Sequence, residues 1–159
     1  MAVMIAETIP DTSREPSSER RIVGCALRSW EELRTGESFP LHGECLASFD
    51  RRLQPGVILI EINDHVEDDI ILDCGPDLID ALGRDPIGQA VQTVLPSSTQ
   101  QGLIFWRVAA ELKKPIADVG RFTNTSGVKI LYRCIFLPVS EENGRITRLL
   151  GAFSYRIVH

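Results

Sequence analysis

The sequence predicts an α+β fold: a five-stranded antiparallel sheet, a helical crossover after its second strand, and an amphipathic helix ahead of the first. Three observations carry that expectation. Residues 128–158 form two long runs of β-branched and aromatic side chains around a polar turn with Asn143-Gly144, a hairpin signature because Gly tolerates positive φ. Residues 57–62 and 70–74 form a second pair of apolar runs around a polar turn. Between these pairs lie segments punctuated by Gly75-Pro76, Gly83, Pro96 and Pro115, the spacing of short helices rather than strands.

Taken in order, residues 1–19 contain Pro10, Asp11, Pro16, Ser17 and Ser18 without any period, and are expected to be a disordered leader. Residues 20–37 form the amphipathic helix. Val23, Leu27, Trp30 and Leu33 recur at helical spacing, Glu31, Glu32 and Arg34 take the other side, and Gly36 ends it. The remainder, 38–159, is the main domain. Residues 44–53 are expected to be a short helix with Leu46, Phe49 and Leu53, followed by a Pro55-Gly56 turn. After the strand at 70–74, Pro76 suits a first helical turn, residues 77–82 continue it, and Gly83 stops it. Residues 90–95 are ambiguous between helix and strand. Ser98-x-x-Gln101 reads as a capping box opening a helix to 114, with Leu103, Trp106 and Ala110 inward and Arg107 paired with Glu111 outside. Pro115 ends it, residues 116–122 are the third strand, and the hairpin follows.

The period of two sorts the hairpin into faces. Ile130, Tyr132, Cys134 and Phe136, with Leu149, Gly151, Phe153 and Tyr155, are expected to face the crossover helices, where Leu103 and Trp106 close the far side. Leu131, Ile135, Leu137, Leu150 and Ala152 form the opposite face, for which the Trp30 helix is the natural lid. Both faces are apolar, so both need cover. That cover comes from the chain's own helix, from a second copy anchored by Trp30, or from both.

Composition narrows the function. The 159 residues carry 22 acidic and 17 basic side chains, net −5, which argues against nucleic-acid binding because no basic cluster is present to displace counterions. No run approaches the roughly 20 apolar residues of a membrane span. There is no signal-peptide pattern, and Cys25, Cys45, Cys74 and Cys134 are dispersed without a C-x-x-C pair, so a reduced, cytoplasmic setting is expected and the Asn124-Thr-Ser126 sequon carries no meaning. No metal site is expected: His42, His65 and His159 are scattered in loops and the terminus, and the acidic run Asp64, Glu67, Asp68 and Asp69 matches no EF-hand spacing and reads as a solvated turn. No G-x-S-x-G elbow, Ser/His/Asp set or phosphate-cradling glycine loop is present. An enzyme using an Asp as base needs a carboxylate among the inward positions, and those expected above offer none.

The element order resembles that of PAS domains, and in particular the compact PAS-like family of alphaproteobacteria. The matching residues are Leu27-Arg-Ser-Trp-Glu-Glu-Leu-Arg34 followed by Pro40, Cys74-Gly75 leading to Ala81-Leu-Gly-Arg-Asp85 and Gly88, then Leu137-Pro-Val-Ser140 and Leu150-Gly151. The resemblance spans nearly all of 22–158 and implies a domain that binds small molecules or protein partners. A haem-binding member would offer a histidine on the 98–114 helix, and a flavin photosensor an Asn-Cys-Arg-Phe-type motif; neither is present, and no cofactor is expected. The resulting expectation is a non-catalytic, PAS-like signalling or regulatory adaptor, homodimeric and bound to a signalling partner. Its partner surface is Val23, Leu27, Trp30, Leu33, Leu131, Ile135 and Leu150. The alternative is a sensor holding a small molecule among Leu103, Trp106, Tyr132, Cys134, Phe136, Leu149, Phe153 and Tyr155, with the two tyrosines as polar handles.

Overall fold

The computed structural model describes residues 4–5, 18–36, 38–96, 99–100, 103–141 and 146–159. The hairpin forms as its alternation dictates: β7 (Lys129–Val139) pairs antiparallel with β8 (Arg148–Ile157), from Ile130 opposite Ile157 to Val139 opposite Arg148. The Asn143-Gly144 turn lies outside the described residues. On one flank β7 pairs with β6 (Ile116–Thr123); on the other β8 pairs with β2 (Val57–Glu61) and β2 with β3 (Ile70–Cys74), all antiparallel. The order β6-β7-β8-β2-β3 is the five-stranded sheet expected.

A sixth strand was not expected. β1 (Met4–Ile5) joins the free edge of β6 in parallel, Met4 opposite Ile116, so the segment read as a disordered leader supplies an edge strand. Two apolar residues there satisfy backbone groups that an edge otherwise leaves unpaired. Residues 1–3 and 6–17 of that leader are outside the described set.

Helix α1 (Ser18–Leu33) lies across one face of the sheet against β7 and β8. The expected 44–53 helix is shorter, α2 (His42–Ser48): Phe49 turns extended, and a 3-10 turn at Gln54–Gly56 leads into β2. Gly56 passes so close to the Phe153 carbonyl that a Cβ has no room, which holds this turn against β8. Beyond β3, α3 (Pro76–Leu82) carries Pro at its first turn and ends on Gly83 at φ 77, and α4 (Val91–Val94) resolves the ambiguous stretch as helix.

The helix expected over 98–114 is corrected. β4 (Thr99–Gln100) pairs antiparallel with β5 (Leu103–Ile104), and α5 runs only from Phe105 to Leu112, closed by Lys113 at φ 56. Ser98 and Gln101, the capping-box pair, lie outside the described residues. β-branched Thr99 and Ile104 face one another across the pair, a placement that favours extended backbone over a first helical turn. The buried stripe of α5 is therefore Phe105, Trp106 and Ala109, while Leu103 is 50 % exposed.

The sheet separates two apolar layers. The inner one joins Ile58, Ile60, Ile71, Ile130, Tyr132, Phe136 and Phe153 to α3, α4 and α5. The outer one joins Ile135, Leu137, Val139, Leu150 and Ala152 to Ala26 and Trp30 of α1 and to Cys45, Phe49 and Leu53.

Candidate functional site

The inner face gathers most of the expected ligand-facing residues. Trp106, Tyr132, Cys134, Phe136, Leu149 and Phe153 are all fully buried there. Tyr132 stacks on Phe153 with centroids 5.5 Å apart, and Phe153 on the half-buried Tyr155 at 5.9 Å. Leu103 is the exception: on β5 it points away from this layer and into solvent. The layer is tightly filled at its centre, where a Cβ on Gly151 would meet Ile58 Cβ at 3.3 Å and Cys134 Sγ at 3.5 Å.

Two buried carboxylates enter this layer, and both correct the reading of the sequence. Asp118 is 1 % exposed on β6, opposite Cys134, and accepts a hydrogen bond from the Tyr132 hydroxyl at 3.1 Å. The signal for it was present: in 116–122 the period of two places Asp118 on the face of Ile116 and Phe122. Burial pushes the Cys134 thiol well above the ordinary thiol range, and the neighbouring Asp118 charge adds to that. Cys134 is thus a small core side chain and a poor nucleophile.

Asp69, expected in a solvated turn, is fully buried. It accepts from Trp106 Nε1 at 2.9 Å, from Arg107 Nε at 2.7 Å, from a second Arg107 nitrogen at 2.9 Å and from the Asn63 backbone N–H at 2.8 Å. Arg107 also donates to the Asn63 carbonyl at 2.6 Å. Arg107 therefore leaves the Glu111 pairing expected on the helix surface and clamps α5 to the β2–β3 turn, a forked pairing that satisfies the buried charge. Its partners are some forty residues away in sequence, beyond the reach of any local pattern.

The outer face is closed by α1. Trp30, Ile135 and Leu150 are buried against one another's surroundings within the chain, and Trp30 Nε1 donates to the Pro138 carbonyl at 2.7 Å. These three, expected at a partner surface, are consumed by the fold, because a 16-residue helix that docks on its own sheet buries its central stripe first. Val23, Leu27 and Leu33 remain half-buried beside them. Leu131, also expected there, lies beyond the layer that α1 covers. Arg34 stacks over Phe39, 4.6 Å from the ring centroid, and over Trp30 at 5.4 Å, sealing the C-terminal end of α1.

Among the described residues no group of three or more His, Cys, Asp or Glu could hold a metal ion, and no helix is long and apolar enough to cross a membrane.

No protein-family model and no curated protein matches the sequence. Solved structures do match. A variant of the photoreceptor Vivid is similar over 84 % of this chain and 98 % of its own, with TM-score 0.55 and 14 % identity. A LOV protein from Rhodobacter sphaeroides is similar over 81 % and 67 %, with TM-score 0.54 and 14 % identity. The dark structure of the blue-light photoreceptor Aureochrome1 LOV is similar over 77 % and 88 %, with TM-score 0.52 and 12 % identity. At such identities the likeness is one of fold: this chain has the PAS/LOV architecture, as the order of its elements implied.

Proposed function

We propose that this chain is a non-catalytic signalling or regulatory module of PAS fold that works by protein association, as a homodimer and as an adaptor for a signalling partner. The observation that supports this reading is the incomplete cover of the α1 stripe: Ala26 and Trp30 are buried on the sheet, while Ile22, Val23, Leu27 and Leu33 keep part of their apolar surface outward. The chain's setting in this reading is the cytoplasm, in keeping with Cys25, Cys45, Cys74 and Cys134 all being free thiols. Asp118 reopens the question of a catalytic base, but in this reading it is the buried hydrogen-bond acceptor of the Tyr132 hydroxyl. The test is sedimentation of the wild type against Val23→Asp/Leu27→Asp. The expected result is a dimer converted to a folded monomer; a wild type that sediments as a monomer at high concentration overturns the dimer.

A second reading has its own observation. Asp118 and the Tyr132 hydroxyl place a hydrogen-bonding pair on the face where a PAS-fold sensor would hold a small molecule. The matched photoreceptors also support sensing, although the sequence lacks the Asn-Cys-Arg-Phe-type motif and Cys134 on this face is fully buried. Mass spectrometry of gently purified protein decides between them: a retained compound, lost in Tyr132→Phe, favours the sensor.

A further inference from the structure

Helix α5 closes the inner layer, and its side-chain polar ties run to one place. It packs against β6, β7 and β8 and sets Phe105, Trp106 and Ala109 among the buried residues of that layer. Among the described residues, the side-chain hydrogen bonds of α5 come from Trp106 and Arg107 alone. All reach the β2–β3 turn, three at the Asp69 carboxylate and one at the Asn63 carbonyl. Asp69 belongs to the fixed side: its N–H donates to the Val66 carbonyl at 3.1 Å, and its carbonyl accepts from the Val91 N–H at 2.9 Å. Beyond the helix, Lys113 turns into the left-handed region at φ 56, a conformation that costs an L-residue, and β6 begins at Ile116. Ahead of the helix, β4 and β5 pair with each other in a two-stranded sheet of their own, apart from the six-stranded one. One charge cluster thus pins α5 at its first turn, and a short link joins its other end to the sheet.

We propose that α5 is a latched flap over the inner layer, swinging as a unit about Lys113 and Lys114 when Trp106 and Arg107 leave Asp69. The latch has two states and little between them. Asp69 is fully buried while Arg107 keeps 18 % of its side chain in water, so the pair lies at the rim of the layer. A small displacement parts the charges while the carboxylate is still dry, which is costly. A full swing hydrates both ions and returns much of the desolvation lost on closing. Opening bares the side of the sheet that carries Asp118, Tyr132 and Cys134. The flap deepens the sensor reading by giving a small molecule its entry route. It rests on that reading only for what enters, and the motion itself is tested without a ligand.

The measurement is alkylation of the full chain by iodoacetamide under native conditions, with Cys134 followed by mass spectrometry across low urea. Cys134 is fully buried in the inner layer, so its rate reports an opening of that layer. A local swing exposes little surface and gives a rate that hardly changes with urea, whereas global unfolding gives a steep dependence. The expected result is a flat limb at Cys134 in low urea. Amide exchange in 105–112 should lie on the same limb, while 130–137 and 149–155 follow the steep one. Arg107→Gln is expected to raise the flat limb about tenfold or more. Trp106→Phe keeps a ring in place and loses one donor, and should raise it about threefold. Circular dichroism checks that both variants fold; should Arg107→Gln fail to, the wild-type limb and Trp106→Phe still decide. A Cys134 rate as steep in urea as unfolding itself, a flat limb that neither variant moves, or exchange in 105–112 no faster than in 130–137 each overturn the proposal. The sensor reading is decided separately by the retained compound, so a flap without a ligand and a ligand without a flap are told apart.

Discussion

The two faces of one sheet are built differently. The outer layer is closed by a single helix from before the sheet, and its described polar tie to β7 is one neutral hydrogen bond, Trp30 Nε1 to the Pro138 carbonyl. The inner layer is closed by the crossover helices and carries charge: Asp69 is buried under Trp106 and Arg107, and Asp118 under Tyr132. Apolar packing is enough to hold a helix onto a sheet, but it tolerates sliding. Buried, hydrogen-bonded charge admits one arrangement, because any other leaves an ion unpaired. The inner layer is therefore expected to be the more rigid, and α1 the element that a partner would shift.

The largest effect expected to sharpen this contrast is Trp30→Ala, which empties the centre of the outer layer and costs about 3–5 kcal/mol. Hydrogen exchange should show α1 opening while α5 keeps its protection; equal opening of both would erase the distinction. Asp69→Asn follows, at about 3 kcal/mol, because the half-buried Arg107 guanidinium is left with no carboxylate opposite. Here α5 and the β2–β3 turn should lose protection first, as read by the same exchange experiment. Tyr132→Phe removes one hydroxyl donor from Asp118 and costs about 1 kcal/mol in urea unfolding.

The smallest effect is one of pH. In the outer layer burial pushes the Cys45 thiol up to about 12. The folded state thus holds a proton that the unfolded chain releases near its ordinary value, about 9. Stability from this group is full below that value and is lost as pH rises from there toward 12, since the unfolded state then binds fewer protons. Urea midpoints measured across that range should fall less steeply in Cys45→Ala than in the wild type.

Much of this architecture was legible in local pattern. Alternation in 129–157 specified both faces of the hairpin, Pro76 and Gly83 bracketed α3, and the helical spacing of Val23, Leu27 and Trp30 identified α1 and its lid role. Asp118 is equally legible by its strand period, which sets it on the face of Ile116 and Phe122 opposite Cys134. The stretch before α5 misled because Ser98-x-x-Gln101 satisfies a capping rule, whereas Thr99 and Ile104 prefer to pair with each other as strand.

The sequence by itself determined the order of elements, the apolar character of both sheet faces and the absence of a nucleophile or metal motif, because these follow from spacing along the chain. Tertiary structure alone decided that Trp30 is spent on its own sheet, that Asp69 is buried beneath Arg107, and that Leu131 falls outside the cover of α1 among cations. Each of those facts depends on which distant side chains meet. A carboxylate in a polar run reads as solvated until the guanidinium and indole that desolvate it arrive from another element.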